Sequence, residues 1–235
     1  MKILSIIIPA YNEEKTIGQL LQKVINLQLI HNYRKEIIIV NDCSKDATGE
    51  VIDNFIATHP AEEIIVVNQV KNQGKGAAIR KGIEKVSGDY VIIQDADLEY
   101  EPEDYNALMD KLIKENLKVI YGSRLLNKSN RYSSQAFYFG GRLVTFITNL
   151  LFSQRLTDEP TCYKLFEASF LKSIPLKCER FEFCPEVTAK VAKHGIKIKE
   201  IPIQYYPRHI DEGKKIRWTD GITAIWTLLK YRFTN

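Results

Sequence analysis

The chain has 235 residues, 45% of them apolar and 26% charged, with a net charge of +4; that is enough apolar material for a real core and excludes a disordered or low-complexity chain. Its four cysteines, Cys43, Cys162, Cys178 and Cys184, form no CxxC pair, which argues against a zinc site or a disulfide scaffold and for a reducing, cytosolic setting. The first 120 residues carry a net charge of −5 and the rest a net of +9, so an anionic partner is expected on the second half.

The apolar run at residues 3–8 is interrupted by Pro9, Asn12, Glu13 and Glu14, too early for a signal peptide, and reads as a buried strand. Similar Ile- and Val-rich runs recur at residues 36–40, 64–67, 90–93 and 119–121. Between them, residues 16–27, 47–57, 76–86 and 103–114 have helical spacing. Strand–helix alternation of this kind predicts βαβ units and a mostly parallel sheet covered on both faces. Farther on, the pattern predicts helices over 137–152 and 182–193, a strand over 196–203 and a last helix over 219–233. That last helix places Ile222, Ile225, Trp226 and Leu229 on one face. The reading is one α/β domain over residues 1–205 with a basic amphipathic appendage over 206–235. No run of about 18 uncharged apolar residues occurs, so no segment is expected to span a bilayer.

A polar cluster follows each of the first five apolar runs, at the strand ends where parallel α/β sheets bind ligands. The clusters are Pro9-Ala10-Tyr11-Asn12-Glu13-Glu14, Asn41-Asp42-Cys43-Ser44-Lys45-Asp46, Asn72-Gln73-Gly74-Lys75-Gly76, Gln94-Asp95-Ala96-Asp97-Leu98-Glu99 and Gly122-Ser123-Arg124. Any one of them reads as a turn or a helix cap, Asp42 and Asp46 above all; five in succession are expected to converge on one sheet edge. In an extended segment positions i and i+2 point the same way, so Asp95 and Asp97 are expected to face one cation, with Glu99 next on that side. A hard cation such as Mg²⁺ takes a carboxylate or two together with phosphate oxygens. Gly74-Lys75-Gly76 is not a P-loop, because glycine follows the lysine where Ser or Thr is required. Nor is it a dinucleotide fingerprint, because Ile79 stands at the third glycine position. Its glycines are expected to permit close backbone approach at a helix start.

Together these motifs resemble the family 2 glycosyltransferases, and within them the polyprenyl-phosphate subgroup of the dolichol-phosphate mannose synthase type. Three later stretches fit the same subgroup: Asp158-x-x-Thr161-Cys162-Tyr163-Lys164, Phe181-Glu182-Phe183, and Arg208 with the later Glu212-Gly213-Lys214-Lys215. The resemblance covers nearly the whole chain and implies a Rossmann-like GT-A fold. It implies that Pro9, Ala10, Tyr11, Glu13 and Asp42, with Lys75, Asp95 and Ala96, hold a nucleotide-sugar donor. Asp95 and Asp97 would hold Mg²⁺ or Mn²⁺ against the diphosphate, with Glu99 as a further metal ligand. Arg124 and Arg208, with Lys214, would meet the donor diphosphate or the acceptor phosphate. Asp97, Arg124 and Arg208 are the expected catalytic residues. Lys164, Arg131 and Arg142 complete the expected acceptor-phosphate set, and Ser134 and Tyr138 match acceptor contacts of relatives loosely. One departure is Cys162, where relatives often have glycine.

The implied reaction is a single inverting displacement in which an acceptor phosphate attacks the anomeric carbon and a nucleoside diphosphate leaves. With a second pKa of about 6, the phosphate needs no general base. The alternative, a saccharide hydroxyl as acceptor, requires a carboxylate base, for which Asp158, Glu182 and Glu186 are the candidates. A non-enzymatic module for an anionic surface is a third reading. The acidic cluster at the sheet edge argues against it, and no nucleic-acid partner is expected. A nucleotidyltransferase would open on a Gly-rich loop where this chain has Pro9-Ala10-Tyr11-Asn12. A lipid acceptor calls for contact with a membrane surface, directly or through a membrane-anchoring partner. Residues 137–152 and the tail, where Trp218, Trp226, Tyr231 and Phe233 lie among Arg217, Lys230 and Arg232, suit the headgroup boundary. The expected location is the cytoplasm, peripherally on the cytoplasmic face of a membrane.

Overall fold

The computed structural model describes residues 1–132, 134–208 and 215–234. The chain opens on β1 (Ile3–Ala10), α1 (Ile17–Asn26), β2 (Arg34–Asn41), α2 (Thr48–Thr58), β3 (Ile64–Asn68), α3 (Lys75–Ile83), β4 (Tyr90–Ile93), α4 (Asp104–Lys114) and β5 (Val119–Ser123). The βαβ alternation expected from the sequence is thus present. Ile6, Ile7 and Ile8 in β1 and Ile38, Ile39 and Val40 in β2 are fully buried. An unbroken β-branched run suits a strand covered on both faces.

The second half adds α5 (Gln135–Phe152), β6 (Lys164–Glu167), α6 (Ala168–Ser173), α7 (Phe183–Lys193), β7 (Lys199–Pro202) and α8 (Trp218–Phe233). The seven strands form one sheet in the order β3-β2-β1-β4-β6-β5-β7. β6 runs antiparallel to both β4 and β5, and the other pairs are parallel. The chain therefore winds outward from β1 to β3 and then crosses back to lay β4 on the other side of β1. That reversal is the point where such sheets leave a crevice beyond the carboxyl ends of their strands. It lies between the segments after Ala10 and after Ile93.

One feature departs from the sequence reading. β6 and α6 were not anticipated, and β6 completes the sheet by wedging between β4 and β5. The appendage docks on the domain. Leu228 and Tyr231 of α8 share a buried cluster with Val144 and Phe152 of α5 and Ala189 of α7. Ile222, Trp226 and Leu229 remain exposed on the opposite side of α8.

Candidate active site

Asp95 and Asp97 lie just past the end of β4, but the segment is a turn. Leu98 has a φ of 61°, in the left-handed region that a leucine adopts only when its surroundings fix it. The turn lets the Glu99 backbone N–H donate to Asp97 Oδ1 at 3.1 Å. It also sends the Glu99 side chain elsewhere. Glu99 Oε2 accepts from the Tyr205 hydroxyl at 2.7 Å and Oε1 from the Arg208 backbone N–H at 2.9 Å. The expected row of three carboxylates is therefore corrected to a pair. Among the described residues, no three Asp, Glu, His or Cys side chains converge as a metal cage.

Each member of the pair is met by a cation. Lys75 Nζ lies 2.5 Å from Asp95 Oδ1, and Arg208 Nη2 lies 3.0 Å from Asp97 Oδ2. Burial, reinforced by the charges of Asp95 and Glu99, pushes the Asp97 carboxyl up to about 7, with Arg208 opposing. Burial works to lower the pKa of the Lys75 ammonium, but Asp95 together with Cys162 and Cys184 outweighs it and the value rises. Crowded carboxylates of this kind favour any further positive charge. A pair that leaves most of a cation's coordination shell to phosphate oxygens fits a hard divalent ion.

Lys75 reaches Asp95 because α3 starts unusually close to the loop before α7. A Cβ on Gly74, whose φ is +94°, would lie 2.5 Å from the Glu179 carbonyl oxygen, and one on Gly76 would lie 2.8 Å from that of Arg180. The glycines thus serve close backbone approach, as expected. Asp42 builds the same loop from the other side. Its carboxylate accepts from Gln69 Nε2 at 2.6 Å and from the backbone N–H groups of Gln73 and Gly74 at 2.8 and 2.7 Å. Its visible work is to shape the loop that leads into α3.

Glu13, after β1, is the second acidic pole. It accepts from Arg208 Nη1 at 3.1 Å, Lys215 Nζ at 2.6 Å and Thr16 Oγ1 at 2.9 Å. Lys215 also donates to the Tyr11 carbonyl and sits 5.6 Å from the centre of the Tyr11 ring. Pro9 is half-buried and Ala10 and Ala96 are buried beside these groups. Arg208 therefore draws Glu13 and Asp97 together across the crevice. Its Nε is buried without a hydrogen-bond partner among the described residues. Lys214 lies outside the described residues. Its neighbour Lys215, part of the same basic run, is the one seen on Glu13.

A second basic group stands at the end of β5. Arg124 pairs with Asp158 through two bonds of 2.7 Å, and its backbone N–H adds a third at 2.9 Å. Burial works to raise the Asp158 carboxyl, but Arg124 outweighs it and holds the pKa below its ordinary value. The guanidinium lies 5.1 Å from the centre of the Tyr205 ring. Arg131, Tyr132, Ser134, Gln135, Tyr138 and Phe139 line an open groove at the start of α5. Arg142 is exposed about two turns along that helix. Lys164 is a correction. It is fully buried in β6, and its Nζ donates to the Glu159 and Thr161 carbonyls at 2.6 and 2.7 Å, so it is turned away from any acceptor.

Sequence reasoning did not single out Tyr205, which touches both the acidic turn and Arg124, or Thr16. A Tyr-Tyr-Pro stretch after a short strand carries no motif that would have marked the first.

Residues 5–174 match the family model for glycosyl transferase family 2. The chain is 32% identical over 240 residues to the dolichyl-phosphate beta-glucosyltransferase ALG5A of Trichomonas vaginalis, covering 97% of this chain and 72% of that protein. It is 31% identical over 219 residues to the UDP-N-acetylglucosamine–dolichyl-phosphate N-acetylglucosaminyltransferase of Methanococcus voltae, covering 86% and 85%. Its fold is similar to that of glucosyl-3-phosphoglycerate synthase from Mycobacterium tuberculosis, solved with Mn²⁺, UDP and phosphoglyceric acid. That match has a TM-score of 0.71 at 19% identity and covers 100% of this chain and 80% of that one. The match spans both carboxylates of the turn, Lys75 and Arg124, and the mostly parallel seven-stranded sheet around them is GT-A-like. The chain belongs to glycosyltransferase family 2.

Proposed function

We propose that this glycosyltransferase moves a hexose from a UDP- or GDP-sugar, with inversion, onto a polyprenyl phosphate. We place it peripherally on the cytoplasmic face of a membrane. The observation that carries the reading is the carboxylate pair, Asp95 and Asp97, on the same sheet edge as Arg124, with Tyr205 in contact with both the acidic turn and that arginine. The two curated relatives are named as dolichyl-phosphate transferases, which supports the same acceptor class.

In this reading Asp95 and Asp97 hold Mg²⁺ or Mn²⁺, which when bound neutralises the charge developing on the leaving diphosphate. Lys75 and Arg208, each paired with one of those carboxylates, would be the cations at hand for the phosphate oxygens, where positive charge stabilises the developing negative charge. Pro9, Ala10, Tyr11 and Ala96 shape the cleft for base and ribose. Arg124, kept in orientation by Asp158, receives the acceptor phosphate with help from Arg131 and Arg142 at the groove.

The saccharide-hydroxyl alternative requires a carboxylate able to take a proton. Asp158 is bound to Arg124. Glu182 accepts the backbone N–H groups of Glu179 and Arg180 at 2.8 and 3.1 Å. Glu186 accepts those of Lys177 and Cys178 at 2.8 and 2.6 Å and pairs with Lys190. All three are engaged in holding the fold, which favours an acceptor that arrives already ionised. The non-enzymatic reading falls with membership of the family.

The test is transfer from a panel of radiolabelled UDP- and GDP-sugars into organic-extractable polyprenyl phosphate. Label in the organic phase, lost with EDTA and restored by Mn²⁺, is the expected result. Asp97→Ala should abolish it; full turnover of that variant in Mg²⁺ would remove Asp97 from the metal site. Transfer confined to water-soluble saccharide acceptors would move the assignment to the alternative.

A further inference from the structure

We infer that Tyr205 is a positioning residue that ties the metal-side turn to the acceptor-side arginine, so that the two halves of the proposed site are set by one side chain. The inference rests on the roles proposed above for Asp97 and Arg124. Tyr205 follows β7, is 7% exposed, and touches both halves through different parts of its side chain.

The hydroxyl donates to Glu99 Oε2 at 2.7 Å. Glu99 is bonded in turn to the Arg208 backbone N–H at 2.9 Å and, through its own N–H, to Asp97 Oδ1 at 3.1 Å. The phenol therefore anchors the turn whose left-handed Leu98 fixes the aim of Asp97. The Glu99 carboxylate that it holds also lies 3.8 Å from Arg208 Nε, so the hydroxyl helps steady the arginine that pairs with Asp97.

The ring does separate work. It lies 5.1 Å from the Arg124 guanidinium, a cation–π distance. Asp158 fixes the same guanidinium in its own plane with two bonds of 2.7 Å. Arg124 is thus held edge-on by a carboxylate and flanked by a ring. The backbone N–H of Tyr205 is itself fixed, donating to Asn130 Oδ1 at 3.1 Å, while Asn130 Nδ2 donates to the Arg124 carbonyl at 2.8 Å. Tyr100 packs on the ring with centroids 5.4 Å apart. Movement of Tyr205 would therefore be felt at Arg124 and Asp97 together.

Because hydroxyl and ring act on different partners, two substitutions separate them. Tyr205→Phe removes only the hydroxyl; Tyr205→Leu removes both. Mn²⁺ affinity is read directly by paramagnetic resonance titration in the presence of UDP and GDP, acceptor KM by transfer assay, and folding by thermal melting. Tyr205→Phe is expected to weaken Mn²⁺ about threefold, because the turn that aims Asp97 loses one of its anchors and acts on the metal only through that turn, with acceptor KM unchanged. Tyr205→Leu is expected to weaken Mn²⁺ equally and to raise acceptor KM about threefold, in keeping with a partly exposed cation–π contact. Wild-type Mn²⁺ affinity in Tyr205→Phe, or losses in both variants that scale only with lowered melting temperature, would overturn the inference and leave the proposed function standing. Failure of the wild-type protein to bind Mn²⁺ with either nucleotide would overturn both.

Discussion

At the scale of single residues, the site is a set of charges that neutralise one another while they wait for ligand. Lys75 answers Asp95, Arg208 answers Asp97 and Glu13, and Arg124 answers Asp158. The last pair is the most enclosed, with the Asp158 side chain 4% exposed, and it lends itself to measurement. Asp158→Asn would leave a guanidinium in a poorly solvated place without its counter-charge, which costs about 3 kcal/mol for pairs of this kind. Since Arg124 holds the Asp158 carboxyl below its ordinary pKa, the folded state binds this proton less tightly than the unfolded chain does. The stabilisation is then complete above the ordinary carboxylate range and is lost as pH falls through the depressed folded value. Denaturant melts should show a wild-type advantage that is constant from neutral pH down to about 4 and narrows only below it. Transfer to lipid acceptor should fall with the same substitution, because Arg124 loses the partner that orients it.

At the scale of elements, the strand ends were legible because a parallel sheet needs long β-branched runs and brings the loops at their carboxyl ends to one edge. That logic found the clusters at Glu13, Asp42, Lys75, Asp95 and Arg124. It missed β6, whose four residues begin with a lysine and end with a glutamate; such a run has neither the length nor the apolar ends that mark a buried strand. It therefore left Lys164 as a free cation when the fold makes it a core donor to carbonyls. The carboxylate row failed for a different reason. Alternation applies to extended backbone, and a left-handed leucine inside the triplet's turn cannot be read from residue types. Gly74-Lys75-Gly76 does permit close backbone approach, as its residue types imply, and can be tested. Gly76→Ala sets a Cβ against backbone at 2.8 Å, which must push the start of α3 and Lys75 away from Asp95. A loss of about 1–3 kcal/mol is expected, as for other overpacked sites, with a raised KM for the donor. Gly140, inside α5, has nothing within 4 Å of an added Cβ. Gly140→Ala should instead stabilise by about 0.5–1 kcal/mol through helix propensity.

At the scale of the whole molecule, α5 and α8 pack on each other through Val144, Phe152, Leu228 and Tyr231 and leave their opposite sides bare. Phe139, Phe146 and Leu150 on α5 are 64%, 64% and 70% exposed, and Trp218, Trp226 and Phe233 on α8 are 77%, 66% and 83% exposed. Among the described residues no helix is long and apolar enough to cross a membrane. Yet rows of this size, bordered by exposed Arg142, Arg217, Lys230 and Arg232, match what holds an amphipathic surface at an anionic interface. The groove lined by Arg131, Tyr132 and Tyr138 opens at the start of the same α5, so the chain of the proposed polyprenyl acceptor, seated there, would run along this face. Phe146→Glu and Trp226→Glu exchange exposed side chains and should leave the melting temperature unchanged. Each should weaken sedimentation with phosphatidylglycerol-containing vesicles about tenfold, the worth of burying one large apolar side chain. Transfer to polyprenyl phosphate embedded in those vesicles should fall in step, while transfer to a short, detergent-dispersed acceptor should not. If vesicle binding survives both substitutions and the protein instead changes from dimer to monomer, the face joins two subunits and does not hold the protein on a membrane.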